Sequence, residues 1–356
     1  MRRLLYALGL IVPVAATLGV LGCKDSKNSA SRLSGGGATF VDPIMQKWSS
    51  EYNKAKSVEI DYSKTGSSDG IKQMTDKNLD FGCSDAPMKK DQYETAKAKG
   101  GDVIHIPLIM GAVAIVYHVP NVSDLKLSGS VLADIYLNKI QNWNDKAIAA
   151  LNPGVALPDL RIVQVYRSEG SGTSNIFTEY LGKASSEFAQ KIPASTQPKW
   201  PEMGLGQKGS DGVAGHVKKN VGAIGYVEVS FAKTNGIATA LLQNAAGVFV
   251  GPEAEGVIAA AEAAMAEKQT EEPYSLHELT YSLTNAAGAK AYPICGISYG
   301  LLYKNQPMAK GKALVEFLKW ATSEGQKFAG EKHYAPLPAD LTQKVAERLG
   351  QVEFAD

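Results

Sequence analysis

Apolar positions change period along this chain, and each period points to an element. Val58, Ile60 and Tyr62 alternate with Glu59, Asp61 and Ser63, the period of two of a half-buried strand. Residues 162–166 and 221–229 read as further strands. Residues 103–119 are almost continuously apolar but are broken by His105, Pro107 and Gly111. Those breaks argue against a membrane span and predict two buried strand pieces. Between these runs the period lengthens to that of a helix. Ile44, Trp48 and Tyr52 share one helical face; so do Ile176, Phe177, Tyr180 and Leu181, and so do Leu314, Phe317, Leu318 and Ala321. An Ala-rich stretch at 253–268 is a good helix former. Strands alternating with helices predict an α/β class.

Three predicted helices share an entry. Gly35-Gly36-Gly37-Ala38-Thr39-Phe40 leads into Val41-Asp42-Pro43, with Asp42 expected to cap and Pro43 to open the helix. Thr65-Gly66-Ser67-Ser68-Asp69-Gly70 precedes Ile71, and Arg167-Ser168-Glu169-Gly170-Ser171-Gly172-Thr173 joins a strand to the helix at Asn175. A helix N-terminus presents unpaired amides and partial positive charge, glycine lets a ligand approach, and hydroxyls add donors. One such turn is ordinary capping; three, with Arg167 attached to the third, suit an oxyanion. None ends in the Gly-Lys-Ser or Gly-Lys-Thr of a nucleotide-triphosphate loop.

Asp85, in Asp80-Phe81-Gly82-Cys83-Ser84-Asp85-Ala86-Pro87, follows a short apolar strand, where α/β sheets present ligand groups. An ionised carboxylate only accepts hydrogen bonds. Beside an anion it is useful when the anion carries a proton. Phosphate does at neutral pH and sulfate does not, so Asp85 would reject sulfate by repulsion and an unmade bond.

Arg2 and Arg3, an apolar run at 4–21, and Gly22-Cys23 followed at once by polar residues read as an export signal. Residues 1–22 are expected to be removed, Cys23 to carry lipid, and residues 23–32 to tether a folded body of two-domain size. A net charge of +1 gives no reason to expect a nucleic-acid partner. Cys83 and Cys295 either pair or are small buried residues. Neither zinc nor two-metal spacing occurs, so metal and cofactor are expected to be none. Gly66-Ser67-Ser68-Asp69-Gly70 matches a hydrolase elbow, but none of His105, His118, His216, His277 and His333 sits in a telling motif, and the match reads as chance.

These turns, with Leu132-Ala133-Asp134-Ile135-Tyr136-Leu137, Trp143-Asn144-Asp145 and Gly222-Ala223-Ile224-Gly225-Tyr226-Val227, resemble the phosphate-binding proteins of bacterial ABC phosphate importers. The resemblance runs from about residue 33 to near the C-terminus. It implies a two-domain periplasmic-binding-protein fold of type II, with a cleft between lobes joined by two crossover segments. Lobe I would comprise 33–109 plus 296–356, and lobe II 110–295. By motif, Thr39 and Phe40 would bind phosphate through backbone amides, and Thr39 also through its hydroxyl. Ser67 would donate, Asp85 would accept the ligand's proton, Arg167 would donate, and Ser171, Gly172 and Thr173 would close the far side. Glu169 would pair with Arg167 from behind. The resemblance also implies a monomer outside the cytoplasm, lipid-anchored to a bacterial membrane, which binds without catalysis and delivers phosphate to a permease driven by a cytoplasmic ATPase. It leaves a Cys83–Cys295 disulfide open, because the strand near Cys295 can neighbour the one bearing Cys83. A ligand of about five heavy atoms gains at most about 7–8 kcal/mol, a dissociation constant near the micromolar scale.

Overall fold

The computed structural model describes residues 32–356. The export segment, Cys23 and the tether as far as residue 31 lie outside the described residues. Arg32, expected as the tether's last residue, already belongs to a strand.

Eight strands build the main sheet: β1 (Arg32–Gly37), β2 (Glu59–Ser63), β3 (Phe81–Ser84), β4 (Val103–Tyr117), β5 (Val163–Arg167), β6 (Leu205–Gln207), β7 (Ala223–Glu228) and β8 (Cys295–Tyr303). Their spatial order is β2-β1-β3-β8-β4-β7-β5-β6, and a short strand at Ala238–Thr239 also pairs with β4. β1 runs parallel to both β2 and β3, and β5 runs parallel to β6 and β7. Each half of the sheet therefore presents the carboxyl ends of parallel strands, where loops can gather ligand groups.

β4 joins the halves. Its residues 103–112 pair with β8 and its residues 113–117 with β7. The chain returns at Ile294, whose carbonyl accepts the Val113 amide at 2.8 Å. β4 is thus one continuous, fully buried strand rather than two pieces. Pro107 brings no amide to the ladder. The register shifts beside it: Ser298 lies opposite Ile109 and Tyr299 opposite Pro107. This β-bulge lets the strand continue past the proline.

The helices used below are α1 (Asp42–Lys56), α2 (Ser67–Thr75), α3 (Gly172–Ala184), α4 (Gly209–Lys219), α5 (Ala254–Met265) and α6 (Met308–Ala321). Their apolar stripes face the sheet: Ile44, Trp48 and Tyr52 of α1, Ile176, Phe177, Tyr180 and Leu181 of α3, and Leu314, Phe317, Leu318 and Ala321 of α6 are buried. In one half Tyr52 and Phe81 both pack on Phe317, with ring centroids 5.2 Å and 6.1 Å away. In the other Phe177 stacks on Tyr226 at 4.3 Å. Burying such a side chain contributes about 1.5–3 kcal/mol. Asp42 does not cap α1; Val41 holds that place, and Asp42 lies inside the first turn, still favourable to the helix dipole.

Cys83 and Cys295 are both buried and unpaired. β3 and β8 are neighbours, but Cys83 lies opposite Gly300. Five strand residues from Gly300 back to Cys295 span about 17 Å, far beyond the roughly 7 Å between Cα atoms that a disulfide tolerates. Burial pushes both thiols up, away from reactivity. Among the described residues no helix is long and apolar enough to cross a membrane, and no group of three or more His, Cys, Asp or Glu could hold a metal ion.

Candidate functional site

The loops after β1, β2, β3 and β5 converge. Gly66 precedes α2 with φ +107°, and a Cβ there would lie 2.8 Å from the Gly170 carbonyl oxygen across the cleft. Only glycine allows both the backbone angle and the approach. Gly172 opens α3 equally tightly: a Cβ there would meet the Asp85 Cβ and the Ser67 Oγ, each at 2.6 Å. Ser171 caps α3 by accepting the Ser174 amide at 3.2 Å.

A continuous polar network joins the two walls. Ser67 Oγ accepts the Gly172 amide at 3.0 Å and the Asp85 amide at 3.3 Å, and lies 3.5 Å from Asp85 Oδ2. On the facing wall Arg167 Nη1 donates to Thr173 Oγ1 at 3.5 Å and to Ser210 Oγ at 3.3 Å. Ser210 Oγ in turn lies 3.0 Å from Thr39 Oγ1. The Ser68 amide donates to the Gly170 carbonyl at 3.1 Å, and the Ser68 hydroxyl to Thr196 at 3.0 Å; the elbow serine is thus spent on holding the walls together. Tyr334 donates to the Phe40 carbonyl at 2.5 Å and fixes the turn after β1.

Thr39, Phe40, Ser67, Asp85, Arg167, Ser171, Gly172 and Thr173 are therefore gathered, and all are buried. Glu169 Oε1 accepts Arg167 Nε at 2.7 Å, Arg167 Nη2, and the Gly209 amide at 3.1 Å. Oε2 of Glu169 is buried with no partner among the described residues.

The two walls differ in electrostatics. Arg167 is 4% exposed but already ion-paired. Asp85 is 3% exposed, and burial pushes its carboxyl up to about 7. The Ser298 hydroxyl, the Arg167 charge and the Ser67 hydroxyl oppose that rise, because each favours the ionised form. Such an arrangement can hold a small tetrahedral anion between donors while ionised Asp85 accepts a hydrogen bond from a proton the anion carries. Beyond Ala86 and Pro87 the interlobe cleft widens to about 1210 Å³, bordered by Asn175, Glu179, Lys183 and Tyr274.

Two members of this network escaped the sequence reading. Ser210 had a signal, since Gly209-Ser210-Asp211-Gly212 is a fourth Gly/Ser turn before a helix. Ser298 had none; it lies inside an apolar strand.

The PBP superfamily domain profile matches residues 24–324. Phosphate-binding protein PstS of Xylella fastidiosa (strain Temecula1) is 41% identical over 317 residues, which cover 88% of this chain and 84% of that protein. Phosphate-binding protein PstS of Pasteurella multocida (strain Pm70) is 41% identical over 331 residues, 92% of each. A solved phosphate-binding protein from Stenotrophomonas maltophilia superposes with a TM-score of 0.66 at 18% identity, over 89% of this chain and 93% of that one, which speaks for the two-lobe fold alone. On the extent and identity of these matches, this chain belongs to the PstS family of phosphate-binding proteins within the PBP superfamily.

Proposed function

We propose that this protein captures inorganic phosphate outside the cytoplasm and delivers it to an ABC-type permease, without catalysing any reaction. The observation that carries this reading is the buried network joining Asp85 and Ser67 on one wall to Thr173, Arg167 and Ser210 on the other. It offers hydroxyls, amides, one guanidinium and one proton-accepting carboxylate, the set a protonated tetrahedral oxyanion needs.

Thr39 and Phe40 donate through their amides, Thr39 also through its hydroxyl, and Ser67 through hydroxyl and amide. Asp85 accepts the ligand's proton, Arg167 donates to its oxygens, and Ser171, Gly172 and Thr173 complete the far wall. Glu169 orients Arg167. The lobes divide as 33–109 with 296–356 and as 110–295. Closure on phosphate follows from its simultaneous contacts with both lobes. Cys23 carries the lipid that keeps the monomer at the membrane. The relatives' names support the ligand, and the Gly22-Cys23 junction supports the anchor.

Isothermal titration with phosphate, arsenate and sulfate tests the ligand. Phosphate should bind near the micromolar scale, arsenate more weakly, and sulfate not at pH values well above neutral, where Asp85 is ionised. Sulfate binding as tightly as phosphate would refute the assignment. Metabolic labelling with a fatty acid tests the anchor; label retained after Cys23→Ala would exclude it.

A further inference from the structure

Ser298 sits on β8 opposite Ile109, beside the bulge in β4. It is fully buried. A regular ladder would pair Tyr299 with Leu108; Leu108 is instead the extra residue of a bulge in β4, which bends β4 and raises the local twist beside Ser298. The Ser298 hydroxyl then donates to Asp85 Oδ1 at 2.8 Å. Among the described residues the other oxygen, Oδ2, has only the long 3.5 Å contact from Ser67. The two oxygens of Asp85 are thus inequivalent: one is capped from within lobe I, and the other faces Gly172 and the cleft.

We propose that Ser298 is a specificity-determining positioning residue, which caps Asp85 Oδ1 and so keeps the carboxylate ionised with Oδ2 as the acceptor of the ligand's proton. This rests on the phosphate reading above. A buried carboxylate that loses such a donor takes up a proton. Protonated Asp85 is itself a donor, and a fully ionised anion such as sulfate then becomes an acceptable guest. Ser298 touches no ligand atom in this scheme; it sets which proton state Asp85 presents.

Other ionisable groups face Asp85. Arg167 approaches from the opposite wall, already paired with Glu169. Glu228, at the end of β7, is buried and pushed upward by its own burial, with Asp85 adding to the rise. Tyr62 on β2, Cys83 on β3, Tyr299 on β8 and Tyr334 near the C-terminus also sense Asp85, and burial keeps them protonated through the neutral range. Glu228 is therefore the group whose titration must be separated from that of Asp85.

The test measures sulfate competition against bound phosphate as a function of pH, on the full chain in detergent. Wild type, Ser298→Ala, Ser298→Thr and Glu228→Gln are compared. In Ser298→Ala the pH below which sulfate competes should rise by about one to two units, the expected effect of losing one hydrogen bond to a charged group. Ser298→Thr keeps a hydroxyl and should restore the wild-type onset, and Glu228→Gln should leave it in place. The proposal is overturned if Ser298→Ala weakens both anions equally at every pH, or if the onset moves in Glu228→Gln and not in Ser298→Ala. Failure of the wild type to bind phosphate would instead overturn the reading on which it rests.

Discussion

The Asp85 wall and the Arg167 wall are both buried, yet they treat charge in opposite ways. Arg167 is neutralised from behind: Glu169 takes its Nε and Nη2, leaving Nη1 to reach Thr173 and Ser210. Its charge costs little to keep, and one edge of the guanidinium is oriented in advance. Asp85 has hydroxyls and a distant cation, with its carboxyl balanced at about 7. The cationic wall thus supplies attraction that any tetrahedral anion would enjoy. The anionic wall supplies discrimination, because its protonation state decides which anion is tolerated. On the proposed reading, affinity and selectivity are housed on different walls of the site.

Several experiments would break or sharpen that contrast. The largest effect is expected from Arg167→Met, which removes the attraction and leaves the part-buried Glu169 carboxylate without its cation. Truncating one partner of a buried charged contact costs binding about 2–5 kcal/mol, so phosphate affinity measured by titration should fall by about 30- to 5,000-fold. A change below tenfold would mean the guanidinium is not a ligand group.

Asp85→Asn comes next and should act on selectivity. Sulfate competition should persist well above neutral pH, where ionised Asp85 excludes it in the wild type, with phosphate weakened by about ten- to a hundredfold, the scale of a lost hydrogen bond to a charged group. The same variant reports on stability. Asp85 has a folded-state value raised above the ordinary carboxylate range. Its contribution is therefore fully present below the unfolded value and lost as pH rises through the folded one. Without phosphate, wild-type stability relative to Asp85→Asn should fall by a few kcal/mol between about pH 4 and 7. A thermal unfolding midpoint that runs parallel in the two proteins across that window would contradict the buried-carboxylate account.

Ser210→Ala should be milder. It deletes one hydroxyl that links Arg167 to Thr39, worth about 0.5–1.5 kcal/mol. Phosphate and arsenate should weaken together by about two- to tenfold, with sulfate rejection unchanged, which would place Ser210 on the affinity side of the contrast. Lys64→Ala should matter least. Lys64 bridges Asp42 at 3.3 Å and Asp211 at 2.6 Å across the mouth of the cleft, but it is part-exposed. Such pairs contribute about 0–1 kcal/mol and are screened by salt. Phosphate release in stopped flow should quicken by less than about fivefold at low salt, and not at all at high salt.

Local signals in the sequence were legible where one stretch of chain settles its own fate. Amphipathic stripes predicted α1, α3 and α6, because a helix face is written in three- and four-residue spacing. Glycine and serine before a helix marked the turns that reach the site, while the pair that Arg167 and Glu169 form was implied by the resemblance to phosphate-binding proteins. The same logic missed where two distant stretches meet. Pro107 and Gly111 looked like breaks, yet β4 continues because it bulges at Leu108, beside the proline, against β8. Ser298 carried no local signal at all. Cys83 and Cys295 were left open as a pair, and only strand register separates them.

By itself, then, the chain determined its elements, its anion-seeking turns, and the residues with the right chemistry for a protonated oxyanion. These depend on backbone preference and side-chain type, which are local properties. Tertiary structure alone decided that the turns face one another, that Asp85 is buried deeply enough for its proton to be in balance, and that Ser298 and Ser210 complete the network. Burial and register are relations between segments far apart in the chain, and the energy of a charge depends on what surrounds it.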